Sequence, residues 1–280
     1  MQLPNLLDLG GVTYDLSSRA LVMGILNRTP DSFFDRGADF ALDAFYTKAE
    51  QLIAEGADLL DVGGVKAGPG EEVTEEMELD RVVKPIEELV KRFDVPISVD
   101  TWRASVARAC YEVGAAMGND ISGFGDPAYL EAAADHQACV VATHIRLKPR
   151  VADPTPIYGD LVPDITAFLL ERAERALTAG LPKTKIVIDA GLDLGKSAEQ
   201  SLELLRASAS LADQGYPLLL SASNKTFLGV QFDLEVGERR MASLAANALG
   251  TALGCRILRV HDVAGVVKAR DEIAMILNAS

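Results

Sequence analysis

The sequence predicts an α/β fold, a closed (β/α)8 TIM barrel occupying residues 1–280 as one domain with a β-hairpin at its N-terminus. Three observations carry this. Eight short apolar runs with no internal period alternate with eight helical patterns, and such runs are strands buried on both faces under a cover of helices. Gly56, Gly114, Gly180, Gly215 and Gly254 each follow a helical pattern and precede an apolar run, where a left-handed residue closes a helix. Eight such units in about 260 residues fit a barrel whose active site lies at the C-terminal ends of the strands. A doubly wound sheet needs a glycine-rich turn after its first strand, and none is present there.

In chain order, residues 5–19 place Gly10-Gly11 between two short alternating runs, which reads as a hairpin positioned to plug the bottom of the barrel. The run 20–26 is the first barrel strand. It gives way at Asn27 to a polar loop containing Arg28, Thr29, Pro30, Asp31, Ser32, Asp35, Arg36 and Gly37, and Pro30 with Gly37 argues against a helix before Phe40. A helix at 40–55 then leads to strand 58–64, one at 75–93 to strand 95–100, one at 102–113 to strand 115–120, and one at 127–136 to strand 138–144. Helices at 162–179, 197–213 and 236–253 lead to strands 185–190, 216–223 and 255–261, and a helix at 264–277 closes the chain. Pro127 after Asp126 has the form of an N1 proline after a cap, and Ser197 with Gln200 has capping-box spacing.

Composition limits the functions available. With 27 Lys and Arg against 41 Asp and Glu, the net charge of -14 repels nucleic acid and anionic membrane, so an anionic ligand must be held by a few placed cations and backbone amides. The first ten residues lack a basic n-region and no apolar stretch approaches a membrane span, which points to a cytoplasmic protein. Cys110, Cys139 and Cys255 are far apart in apolar segments and read as reduced core thiols.

A barrel enzyme should be polar where its strands stop. The strand ends carry Asn27, Asp61, Asp100, Asn119-Asp120, His144, Asp189, Ser223-Asn224-Lys225 and Arg259-Val260-His261. Side chains alternate along a strand, so Arg259 and His261 share a direction and can share a ligand. Plainer roles compete for several of these. Asp100 and, more strongly, Asp262 fit helix caps; Asp61 fits a buried hydrogen-bonding partner; His136 fits a structural role, and His144 is open between the two. The acidic run Glu71 to Asp80 reads as a solvated face and a helix start. Cations near the last two strands make an anion site of the kind barrels use for phosphate. Asp100, Asp189 and Asn119 make a second subsite, suited to a flat heterocycle rich in donors and acceptors.

The segments MGILNRTPDSFFDRG, DVGGVKAGPG, ISVDT, NDIS, DAGLDLGK, SNK and RVHDV, in this order and spacing, resemble dihydropteroate synthase over nearly the whole chain. The resemblance implies a transferase of folate synthesis, in which the amine of p-aminobenzoate displaces diphosphate from the hydroxymethyl carbon of a dihydropterin. It implies that Asp100, Asn119, Asp189 and Lys225 hold the pterin while Arg259 covers its ring. Arg259 and His261 would bind the diphosphate, and Asn27 would ligate a Mg²⁺ on it; Asp100, Lys225 and Arg259 are the expected catalytic groups.

The sequence also departs from the family pattern. The second loop, close to ESTRPG in the family, is here Val65-Lys66-Ala67-Gly68-Pro69-Gly70, without the threonine and arginine. DPGFGFGK becomes DAGLDLGK, with Leu192 in place of an aromatic and Asp193 as an added carboxylate; SRK becomes Ser223-Asn224-Lys225, and strand five ends Thr143-His144-Ile145. These changes gather on the aminobenzoate side, and Lys66 replaces the arginine only as a charge. The expected protein is a divergent paralogue with weak or absent synthase activity, with an active synthase as the alternative. A pterin-dependent methyltransferase has no need of Asn27, Arg259 and His261 around a diphosphate, and a non-catalytic binding protein predicts pterin binding without turnover. The alanine-rich helix Met241 to Leu253 is the candidate surface for a homodimer.

Overall fold

The structure, a computed structural model, describes residues 5–28, 38–230 and 232–278. The polar loop from Thr29 to Gly37 lies outside the described residues. The N-terminal hairpin is present as an antiparallel pair, β1 (Leu6–Leu9) and β2 (Val12–Asp15), turning through Gly10 and Gly11. Eight parallel strands follow: β3 (Leu21–Asn27), β4 (Leu59–Gly63), β5 (Ile97–Asp100), β6 (Met117–Asp120), β7 (Cys139–Thr143), β8 (Ile186–Asp189), β9 (Leu218–Leu220) and β10 (Ile257–Val260). They run in chain order, and β10 pairs with β3 to close the barrel.

The helices are α1 (Ala38–Ala54), α2 (Glu75–Arg92), α3 (Ala104–Glu112), α4 (Tyr129–Asp135), α5 (Leu161–Thr178), α6 (Ala198–Arg206), α7 (Ser208–Ala212), α8 (Thr226–Val230), α9 (Arg240–Ala252) and α10 (Val263–Asn278). The five glycines picked from the sequence all have φ between +79° and +104°, a region that L side chains enter only with strain. Ser197 and Gln200 form the expected capping box on α6.

Strand alternation separates two cores. Outward residues such as Val22, Leu60, Val99, Val140 and Ile188 pack beneath the helices. Inward residues Leu21, Met23, Leu59, Met117, Cys139, Val141, Val187, Leu219 and Ile257 form a second cluster with Leu7, Leu9 and Leu16 of the hairpin. The hairpin therefore seals the N-terminal end of the barrel with apolar side chains. Continuing the same parity upward brings Asp61, Asp100, Asn119, Asp189 and Arg259 inside at the other end.

Several local expectations change. The helix expected at 127–136 begins at Tyr129, and the Asp126 carboxylate accepts from the backbone N–H of both Ala128 (3.1 Å) and Ala104 (2.9 Å), so it also caps α3 across the loop. The helix expected at 197–213 breaks at Ala207 into α6 and α7. The acidic run 71–80 does start α2, capped by Thr74, but Glu78 is not solvated: it is fully buried and paired with Arg103. Its spacing places it on the barrel-facing side of α2 with Val82, Ile86 and Leu89, where a charge run alone does not reveal an inward turn.

Leu7 is fully buried at the sealed end. Leu7→Ala should lower unfolding free energy by about 2–5 kcal/mol, the range for a large-to-small core change. Urea denaturation checks this, and a change below about 1 kcal/mol would show that the hairpin is not an integral plug.

Candidate functional site

The inward ends of the strands form a polar cup. Arg259, carried by β10, crosses it: Nε donates to Asp61 Oδ2 at 2.6 Å and Nη2 donates to Asp100 Oδ2 at 2.8 Å. Asn119 Nδ2 donates to the same Asp61 Oδ2 at 3.1 Å, while Asp61 Oδ1, also buried, has no partner. Asp61 thus has the buried hydrogen-bonding role, and Asp100 is no helix cap, since α3 begins at Ala104 under Asp126. Burial pushes the Asp100 carboxyl up to about 7 against the pull of Arg259.

On the opposite wall, burial raises the Asp189 carboxyl and lowers the Lys225 ammonium, each opposed by the other's charge. Lys225 Nζ donates to the Leu192 carbonyl at 2.6 Å, and Asp189 Oδ1 accepts from the Gly191 N–H at 2.8 Å. A Cβ on Gly191 would fall 2.0 Å from the His144 carbonyl oxygen, so only glycine lets these two loops touch.

His144, open from sequence, is structural. Lys196 Nζ donates to Gly191 O (2.9 Å) and Leu194 O (3.0 Å) and meets His144 Nδ1 at 2.9 Å. Burial, followed by the Lys196 charge, pushes the imidazole down to about 3, and burial pushes Lys196 down to about 7. A neutral His144 thus accepts from the lysine and stacks edge-on against Phe168. Asp120 also turns away from the cup, accepting from the N–H groups of Ser122 and Phe124.

The rim differs from the expected arrangement. Arg259 turns into the cup, whereas His261 binds Ser223 Oγ through Nδ1 at 3.1 Å and lines an outer groove of about 370 Å³ with Lys48, Asn224 and Arg240. Partial desolvation, then the charges of Arg259 and Lys48, hold the His261 imidazole below the ordinary histidine range. Asp262 is a cap, accepting from the Gly265 N–H at 3.0 Å at the start of α10. A groove of about 740 Å³ between α4 and α5, lined by Glu131, Asp135, Glu171 and Glu174, lies outside the barrel and contains none of the strand-end residues.

Sequence reasoning missed three supports. Arg150 straps the second loop, donating from Nη1 to Lys66 O at 3.1 Å, from Nη2 to Glu71 O, and from its own N–H to Ala67 O at 3.1 Å. Asp193, read as an added carboxylate near the ligand, instead accepts from the Thr226 N–H at 2.6 Å at the start of α8. Asn224, with φ +58°, is tied to α9 by its N–H to Ser243 Oγ at 3.0 Å. Asn224 and Asp193, the latter with φ +65°, carried a signal, because asparagine and aspartate tolerate a left-handed backbone.

The sequence profile described as pterin binding enzyme matches residues 23–261. The chain belongs to this family. Among its relatives is "Inactive dihydropteroate synthase 2" of Mycobacterium leprae (strain TN), 43% identical over 267 residues, which span 93% of this chain and 91% of that one. The dihydropteroate synthase of Bacillus subtilis (strain 168) is 38% identical over 262 residues, 93% and 90% of the two chains. In structure, the Xanthomonas albilineans dihydropteroate synthase with 4-aminobenzoic acid superposes with a TM-score of 0.92 at 37% identity, covering 99% of this chain and 100% of that chain.

Arg259 balances two buried acids, so Arg259→Met should destabilise the fold by about 3–5 kcal/mol at pH 8. An acid raised further above its unfolded value is penalised increasingly as pH rises through its folded pKa, and not at all when protonated in both states. The loss should therefore shrink at pH 5, as denaturation at the two pH values will show; equal losses would contradict the charge balance described.

Proposed function

We propose that this chain is a dihydropteroate synthase-like, pterin-binding protein, a divergent paralogue in which synthase turnover is weak or absent. The observation that carries the reading is a split in the site. The floor keeps Asp100, Asn119, Asp189, Lys225 and Arg259 as one polar set, while the second loop lacks its threonine and arginine and is tied down by Arg150. Relatives named as an inactive synthase at 43% identity and as a synthase at 38% support the same placement.

In this reading Asp100, Asp189 and the Asn119 carbonyl accept from the amino-pyrimidine edge of the pterin, and Lys225 donates to its acceptor atoms. Arg259 covers the ring and, leaving Asp100, meets the diphosphate with His261. In the family reaction the amine nitrogen bonds to the hydroxymethyl carbon, the carbon–oxygen bond to diphosphate breaks, and the nitrogen loses a proton. Asp100 stabilises positive charge left on the ring, and Arg259 with His261 meets the growing negative charge of the leaving group. No protein nucleophile is needed.

Magnesium fits as a substrate-borne ion. Among the described residues no group of three or more His, Cys, Asp or Glu could hold a metal. Asn27 Oδ1 lies 3.0 Å from where a Cβ on Gly63 would stand, on the same rim as Asp100, so it can contribute one oxygen while phosphate and water supply the rest. Bound there, magnesium would neutralise diphosphate charge.

A homodimer through α9 and α10 belongs to the same proposal, supported by exposed Met241 and Leu249 on one helix and Met275 and Ile276 on the other. So does a cytoplasmic location, supported by three free buried cysteines. No helix among the described residues is long and apolar enough to cross a membrane.

Diphosphate release from dihydropterin diphosphate, first with p-aminobenzoate and then with other amines, tests the reading. Losing several groups that act in the transition state should leave release with p-aminobenzoate about 10²-fold or more below a working synthase; turnover at an ordinary rate would reject it. Release with another amine would identify an altered acceptor. A Cβ at Gly68 would meet no atom within 4 Å, and Ala67→Thr with Gly68→Arg should raise turnover; no change would place the defect at Leu192 or Asn224. His261→Ala should weaken diphosphate binding and spare free pterin, measured by calorimetry. Equal loss of both would show that His261 has another role.

A further inference from the structure

We infer that Asp61 is a positioning residue that sets the polarity of the cup floor, fixing Asn119 so that it presents its carbonyl to the ligand. The inference rests on the pterin-binding reading and assigns a role to a residue which that reading leaves out. Asp61 is fully buried on β4, two residues beyond inward-facing Leu59, and a single oxygen, Oδ2, accepts from both Asn119 Nδ2 and Arg259 Nε. Oδ2 is already an acceptor, facing the guanidinium of Arg259, so the Asn119 group set against it is the amide NH2 and the group left for a ligand is Oδ1. A flipped amide would set two oxygens about 3 Å apart in a desolvated site, which the structure gives no proton to relieve.

The consequence is a floor made of acceptors. Asn119 Oδ1 joins the carboxylates of Asp100 and Asp189, and Lys225 is the opposing donor. Such a floor selects a ring edge that offers amino and ring N–H donors, and rejects an isostere that offers a carbonyl at the same place, because two acceptors then face one another without a proton. Asp61 itself need not touch the ligand. It acts through Asn119 on one side and Arg259 on the other, and by holding both with one oxygen it couples the recognition edge to the cation that meets the diphosphate.

The test is a swap. In Asp61→Asn the two amides can pair in either sense, so Asn119 loses its fixed orientation. In Asn119→Asp two carboxylates face each other. In the double variant Asp61→Asn with Asn119→Asp, the amide at 61 donates to the carboxylate at 119, so an acceptor is again held toward the cup, while Arg259 Nε faces an N–H group in place of the oxygen it bonded. Calorimetry with 6-hydroxymethylpterin and with its analogue bearing a 2-oxo group in place of the 2-amino group reads the effect.

The unaltered chain should prefer the 2-amino compound; each single variant should bind it roughly tenfold or more weakly. Asp61→Asn should also narrow the preference, and the double variant should recover the preference while its affinity stays lowered by the lost Arg259 contact. Pterin affinity and preference unchanged in Asp61→Asn, or no recovery of the preference in the double variant, overturn the inference while leaving pterin binding in place. Failure of the unaltered chain to bind the pterin overturns the preceding reading and this one together. Should a single variant not fold, hydrogen exchange of the Asn119 side-chain amide in the unaltered chain decides: slow exchange supports its anchoring by Asp61, and exchange at the rate of a free amide overturns it.

Discussion

The structure depends on one guanidinium driven into a barrel between two acids. Asp61 and Asp100 sit where strand alternation forces them inward, and a buried carboxylate without a cation is among the most expensive features a fold can carry. Arg259 answers both at 2.6 and 2.8 Å. Its counterpart across the cup is the Asp189 and Lys225 pair, with Lys196 behind it gathering carbonyls from the loops above. The charges proposed to recognise a ligand are therefore the same charges that hold the strand ends together, so a change to one of them acts on the fold as well.

Much of this was legible in the sequence, for simple reasons. Barrel strands announce themselves as apolar runs, their helices end in glycine at five places, and polarity at the end of a buried strand has few explanations. The hairpin, its position at the bottom, the capping box at Ser197, the cap at Asp262 and the reduced cysteines follow from equally local rules. What resisted reading was whatever depends on long reach. Glu78 looked solvated because it sits in an acidic run, yet its helical phase turns it to the core against Arg103. Asp193 read as an added carboxylate on the aminobenzoate side, yet it caps a helix thirty-odd residues away in sequence. Arg259 and His261 share a strand face, but a long flexible side chain chooses among partners that spacing does not list. His144 could not be decided without Lys196, which approaches from a different loop.

The departures from the family pattern share a logic once the partners are known. Asn224 and Asp193 bind the seventh and sixth loops to neighbouring helices, and Arg150 binds the second loop to the fifth. At the departing positions 193 and 224 the side chain or backbone makes a contact that serves the scaffold. The floor shows no such drift, because its residues are pinned by one another's charge and burial. Divergence has run along the loops, where a change of partner leaves the barrel intact.

The hairpin adds a last consequence. With Leu7, Leu9 and Leu16 filling one end, a guest can reach the polar floor only from the other, and whatever rests on the floor must arrive before anything that rests above it. A two-part chemistry in such a barrel is sequential by construction: the deep guest blocks nothing, the shallow guest blocks everything, and departure runs in the reverse order.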